Sequence, residues 1–272
     1  MRLRKLIIYI LTLFVISVGF FKSQSQSDFY ISDGQGNQNP VIDCSYPFVN
    51  GSCINLTANY PQFKLTNSYS VSSIPYSPYS ATNKTVIKEN IDDSFSGTID
   101  LPFTFCFYGN AYNKLVIGSN GMISFDVGQA NQPNAPNFTA TLPSQNLPKE
   151  SIFGVLHDMY FLKTDNSEIN YSVIGSAPFR KFIVNFEAGN VSGCEPQTST
   201  SQIVLSEGSN KIEVFVKNKD LPCNLAKYPN ALIGINDGSG NLGVSAPGRN
   251  TGVWSAQNEA WIFAPSGSNL VP

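Results

Sequence analysis

The chain has one histidine, His157, in the run Ile152-Phe153-Gly154-Val155-Leu156-His157-Asp158. Neighbours on a strand point to opposite faces, so His157 and Asp158 are not expected to form a His–Asp relay. No Gly-x-Ser-x-Gly elbow supplies a serine nucleophile. A zinc centre would have to draw four ligands from that histidine and the scattered Cys44, Cys53, Cys106, Cys194 and Cys223. Oxygen side chains alternate at Asp33, Gln35, Asn37 and Asn39 as in calcium loops, yet no bidentate Glu closes the run. Glycoside hydrolysis needs two carboxylates about 5–10 Å apart, and Asp158, Asp165, Glu168 and Glu187 are the nearest group in sequence. No motif marks a pair among them. The residues therefore predict no catalytic centre, no metal and no cofactor. Aromatic rings can stack on sugars or seat a partner, and Tyr76, Tyr79, Tyr160 and Trp254 are the candidate ligand-facing platforms. The competing expectation is that the same rings cover the edge of the core.

The elements that position these groups read as strands. Ile99, Leu101, Phe103, Phe105 and Phe107 share one parity, a period of two. Leu115–Ile117 and Met122–Phe125 flank Asn120-Gly121, which suits a type I′ turn with both central residues at positive φ. Phe182, Val184 and Phe186 alternate with Lys181, Ile183 and Asn185. Ile203–Leu205 and Ile212–Val216 flank the turn signal Glu207-Gly208-Ser209-Asn210, and Ala231–Ile235 ends at a second turn, Asp237-Gly238. No stretch beyond the N-terminus has convincing helical periodicity. Many short strands separated by Gly, Asn and Pro predict an all-β, antiparallel, jelly-roll-like β-sandwich. The expected organisation is a signal peptide over 1–23, a loop-rich N-terminal segment over 24–95 packing on the core, the sandwich core over 96–264, and a linker over 265–272 leading to further domains.

Arg2, Arg4 and Lys5 precede the apolar run Leu6–Phe21, and Lys22 and the polar Ser23-Gln24-Ser25-Gln26 follow. A charged start, a short apolar stretch and small residues after it read as a secretory signal, cleaved after Ser23 or Ser25. The run falls short of the ~20 residues a membrane span needs, so no membrane insertion is expected after cleavage. Cleavage removes basic residues and no acids, making the formal net charge of −2 more negative and arguing against nucleic acid as a partner. Charged residues are 13% of the chain and aromatics 12%, and an aromatic content this high excludes disorder over most of the length. An exported chain can form disulfides. Cys194 and Cys223 flank the hairpin around Glu207–Asn210 and are expected to be joined, whereas Cys44 with Cys53 and Cys53 with Cys106 remain open alternatives.

Leu101-Pro-Phe-Thr-Phe-Cys-Phe-Tyr-Gly-Asn110, with Tyr112 and Val116-Ile-Gly-Ser-Asn-Gly-Met-Ile-Ser-Phe125, resembles the N-terminal β-rich region of gliding-motility-associated, adhesin-like surface proteins secreted by the type IX pathway. The likeness continues through Ile152-Phe153-Gly154 with His157-Asp158, Ala177-Pro-Phe-Arg-Lys-Phe182, and Ala246-Pro-Gly-Arg-Asn-Thr-Gly252 with Trp254. A more distant similarity is to nidogen-like extracellular domains. The resemblance implies a secreted domain on a bacterial cell surface with no assigned catalytic residues, followed in such proteins by immunoglobulin-like modules. Its work would be binding or spacing in adhesion or gliding, with a surface protein or a glycan as ligand. The alternatives are a carbohydrate-binding module of a secreted degradative system and a jelly-roll glycoside hydrolase.

Overall fold

The structure is a computed structural model that describes residues 30–33, 56–59, 63–80, 83–87, 92–134, 138–162, 164–223 and 230–268. The chain divides into two compact units, residues 1–62 and 63–272. In the first, β1 (Tyr30–Asp33) and β2 (Leu56–Asn59) pair antiparallel, so the segment expected to be loop-rich contains a two-stranded sheet.

The second unit carries β3 (Tyr69–Ser73), β4 (Thr85–Val86), β5 (Ile99–Phe107), β6 (Asn110–Gly118), β7 (Met122–Ser124), β8 (Ser151–Leu156) and β9 (Met159–Tyr160). It continues through β10 (Glu168–Ile174), β11 (Lys181–Val191), β12 (Thr198–Ser206), β13 (Ile212–Lys219), β14 (Leu232–Asn236), β15 (Gly243–Ser245) and β16 (Ala256–Pro265). One sheet has the order β3-β16-β13-β12-β11-β10-β4, with β9 pairing on β11, and the other has β15-β14-β8-β7-β6-β5. All described pairings are antiparallel. The two sheets pack as an all-β, jelly-roll-like sandwich.

Alternation decides what goes between the sheets. Leu101, Phe103, Phe105 and Phe107 of β5 are buried with Phe182, Val184 and Phe186 of β11 and Ile212, Val214 and Val216 of β13. Fully burying such a side chain contributes roughly 1.5–3 kcal/mol. Phe125 completes an aromatic stack, with Tyr112 at 4.7 Å and Phe105 at 5.7 Å between ring centroids. The opposite parity is also buried. Val116, Met122, Phe153 and Leu232 lie under Leu142 and Leu147 on the outside of the smaller sheet. On the outside of the larger sheet Ile183, Val204, Phe215 and Ala260 lie under Ile74, Tyr76 and Tyr79.

Several expectations need correction. The sandwich does not begin at residue 96: β3 pairs along β16 at one edge of the larger sheet and β4 with β10 at the other. The end of the chain is not a free linker from 265, because Pro265 pairs with Tyr69, Ser266 N–H donates to Ser68 O at 2.9 Å, and Leu65 N–H donates to Ser268 O at 3.0 Å. The Asn120-Gly121 turn is not type I′. Gly118 pairs with Met122, leaving the three-residue loop Ser119-Asn120-Gly121, in which Gly121 alone takes positive φ, +79°. That is the pattern of a three-residue hairpin with glycine at the left-handed position. At the β14–β15 turn the positive φ belongs to Gly240, at +72°, rather than to Asp237 or Gly238.

Cys194 and Cys223 are joined, with Cα atoms 5.4 Å apart, across the open end of the β12–β13 hairpin. Cys106 is a half-buried free thiol. Cys44, Cys53 and the signal segment lie outside the described residues.

Candidate functional site

The outer face of the larger sheet carries a row of amides where apolar residues would be expected. Asn170, Asn185, Gln202 and Phe215 stand opposite one another across β10, β11, β12 and β13. All four are buried, and buried amides are tolerated only when their donors and acceptors are matched. Asn185 Nδ2 donates to Asn170 Oδ1 at 2.9 Å, and Gln202 Nε2 donates to Asn185 Oδ1 at 2.8 Å. Gln202 also exchanges two 2.9 Å bonds with the backbone of Tyr79, which holds residues 76–79 over the sheet. Two residues along β10 and β11, Glu168 and Glu187 face each other, and both accept from Asn170 Nδ2, at 2.7 and 2.9 Å. Lys84 pairs with Glu168 at 2.8 Å, and that bond raises the lysine's pKa.

Of these, Asn185, Glu187 and Gln202 line a groove of about 340 Å³ whose walls also include Tyr76, Tyr79, Phe215 and Lys217. Tyr76 and Tyr79 meet Phe215 edge-on, at 6.2 and 5.9 Å between centroids. Tyr79 is pinned, with its ring 4.7 Å from Lys181 Nζ and its hydroxyl 3.3 Å from Glu213 Oε2. Burial alone would lower the Lys181 pKa, but the charge of Glu213, 3.0 Å away, and the Tyr79 hydroxyl raise it. Tyr76 is half-buried, and among the described residues its hydroxyl has no partner.

Of the other two aromatic platforms, Trp254 is misassigned. It is 7% exposed, donates its indole N–H to Ala231 O at 2.8 Å, and lies between Lys219 and Arg249, 4.8 and 4.6 Å from the ring centroid. Tyr160 donates to Glu195 at 2.8 Å; burial first, then that carboxylate, pushes its pKa up to about 12.

The expected carboxylate group splits in two. Glu187 enters the groove wall, with Glu168 facing it across the β10–β11 pair, whereas Asp165 bonds Ser167 and Asn190 on an exposed turn. Asp158 meets Asp92 and Asp93, one carboxylate oxygen from each lying within 4.8 Å of the others. Burial, and then the charge of Asp93, raise the Asp92 pKa. This trio was invisible in the sequence because its members are far apart along the chain and meet around Asn120, which bonds both Asp93 and Met159. Asn120, fully buried in the β6–β7 loop, donates through Nδ2 to Asp93 Oδ1 at 2.8 Å and to Asn134 O at 2.7 Å. Its Oδ1 accepts from Met159 N–H at 2.8 Å. Three carboxylates fall short of the six to eight oxygens calcium takes. His157 is 1% exposed. It lies after the end of β8, so the opposite-face argument for a strand does not apply to it and Asp158.

Fold and groove together define a disulfide-linked, two-sheet β-sandwich with a polar hollow on one outer face. A family model described as NIDO related matches residues 68–270, and the chain belongs to that family, a nidogen-like domain. The match begins beside β3, an edge strand of the larger sheet, and ends past β16, the strand it pairs with. No curated protein and no solved structure gives a significant match. Among the described residues no helix is long and apolar enough to cross a membrane.

Proposed function

We propose that this nidogen-like sandwich is a non-catalytic binding domain of a secreted, adhesin-like surface protein, serving adhesion or gliding, and that it binds through the groove on the larger sheet. The observation that carries this reading is the groove itself. Its volume falls within the range of roughly 300–1,000 Å³ typical of small-molecule sites, and its walls carry amides, hydroxyls, aromatic rings and one charge of each sign. Glu168 and Glu187 both accept from one amide and Glu168 is also salt-bridged, so neither stands apart as the proton donor that glycoside hydrolysis requires. The one histidine is closed off from substrate. The Cys194–Cys223 bridge supports an oxidising, extracellular setting, and the likeness of residues 101–125 to adhesin-like surface proteins supports display on a cell surface.

Microspheres coated with the full chain and held under flow against surfaces bearing polysaccharide or extracellular protein test the reading. Retention above that of bare spheres is expected. Retention no better than bare spheres on every surface would remove the binding role.

A further inference from the structure

We propose that the groove takes a neutral polysaccharide, binding a short stretch of sugar units along the face of the larger sheet; this rests on the binding role proposed above. Sugar rings present hydroxyls that both donate and accept, together with apolar C–H faces, and the groove offers matching groups to each. The Tyr76 hydroxyl, the exposed Asn166 amide and the exposed Lys217 ammonium have no partner among the described residues. Glu187 has given one carboxylate oxygen to Asn170 and keeps the other. The half-buried rings of Tyr76 and Tyr79, each set edge-on against the buried Phe215, offer the aromatic surface.

Charge points to a neutral ligand. Glu168 is neutralised by Lys84 and Glu213 by Lys181, which leaves Glu187 and Lys217, one charge of each sign, in the groove wall. An anionic chain would meet Glu187, and a cationic one Lys217. An extended peptide needs an open sheet edge for main-chain bonding. The groove lies on the face of strands already paired on both sides, β11 between β10 and β12, and β12 between β11 and β13. The amides beneath are fixed by one another, so the floor is set before ligand arrives and little ordering cost is added on binding.

Native gel electrophoresis of the full chain through gels containing a mixed-linkage β-glucan, a galactomannan or alginate tests this. At least one of the two neutral polysaccharides should retard the chain, and alginate should not. Tyr76→Ala should weaken that retardation about tenfold, the loss expected for truncating a central aromatic contact. Asn166→Ala, an exposed position with no protein contact to lose, should weaken it without changing the melting curve, which keeps the result readable if Tyr76→Ala disturbs the fold. Equal retardation by alginate, or retardation untouched by both substitutions, would overturn the assignment. Absence of retardation by either neutral polysaccharide while coated spheres are still retained would also overturn it but leave the binding role standing; loss of both would end the binding role as well.

Discussion

Lys219 is a buried cation without a carboxylate. It is 1% exposed, and its ammonium donates to the carbonyls of Trp254 at 2.8 Å and Asp220 at 3.1 Å. Burial pulls its pKa down from 10.5 to about 8; Arg249 adds to this, and only Asp220 opposes it. Between those two values the folded chain has released a proton that the unfolded chain still holds, so stability rises with pH across that window. The penalty is fully present below pH 8, on the order of 3 kcal/mol at ~1.36 kcal/mol per pKa unit. Above pH 10 the raised pKa values of Tyr69, Tyr108, Tyr112 and Tyr160 act in the opposite sense. Denaturant titrations from pH 7.5 to 10 should show wild type gaining stability while Lys219→Met stays level. A wild-type curve that is flat or falling would show that the ammonium is better solvated than its burial indicates. Composition gives no hint of this residue, because one lysine in an alternating strand reads as an outward one.

The turn glycines separate what local sequence can convey from what needs the fold. Asp237-Gly238 has the dipeptide signature of a tight hairpin, yet Asp237 acts through its side chain. Burial works against its ionisation, but bonds from the Ser239 hydroxyl and from the N–H groups of Leu242 and Asn241 outweigh it and lower its pKa. The left-handed position falls to Gly240, where a Cβ would lie 2.6 Å from Ser144 O. At Gly238 a Cβ would meet only the end of the Glu150 side chain, at 2.9 Å. Left-handed backbone costs a residue with a Cβ about 1–2 kcal/mol, and about 1 kcal/mol shifts the Tm of a domain this size by roughly 2–4 °C. Gly240→Ala should therefore lower Tm by several degrees and Gly238→Ala by much less; the reverse order would mean the turn is wrongly described. The sandwich strands themselves were legible, since β5, β11 and β13 bury the parity their alternation indicates. Val116, Phe153, Ile183, Val204 and Phe215 break that alternation, and that break was the available sign that both outer faces are covered.

At the scale of the molecule, Asn170, Asn185 and Gln202 are ordinary polar residues in sequence, and only strand register turns them into one row. The groove was therefore half legible: Tyr76 and Tyr79 stood out by type, and Glu187 by its proximity to other carboxylates, but nothing local tied the three together. Trp254 misled because a tryptophan in a Gly-rich stretch looks exposed, whereas two cations hold it in the core. Asn185→Ala would strand a donor on Gln202 and an acceptor on Asn170, each unsatisfied buried group costing about 1–3 kcal/mol. A loss in that range by denaturant titration is expected, and a neutral result would mean water replaces the amide. The central claim is that this sandwich binds and does not turn over. Its most direct test is one incubation of the full chain with insoluble polysaccharide, measuring chain lost from solution and reducing ends released into it. Depletion of the chain with no reducing ends above the blank is expected. Reducing ends that accumulate with time and vanish in Glu168→Gln or Glu187→Gln would contradict it and make the groove a hydrolase site.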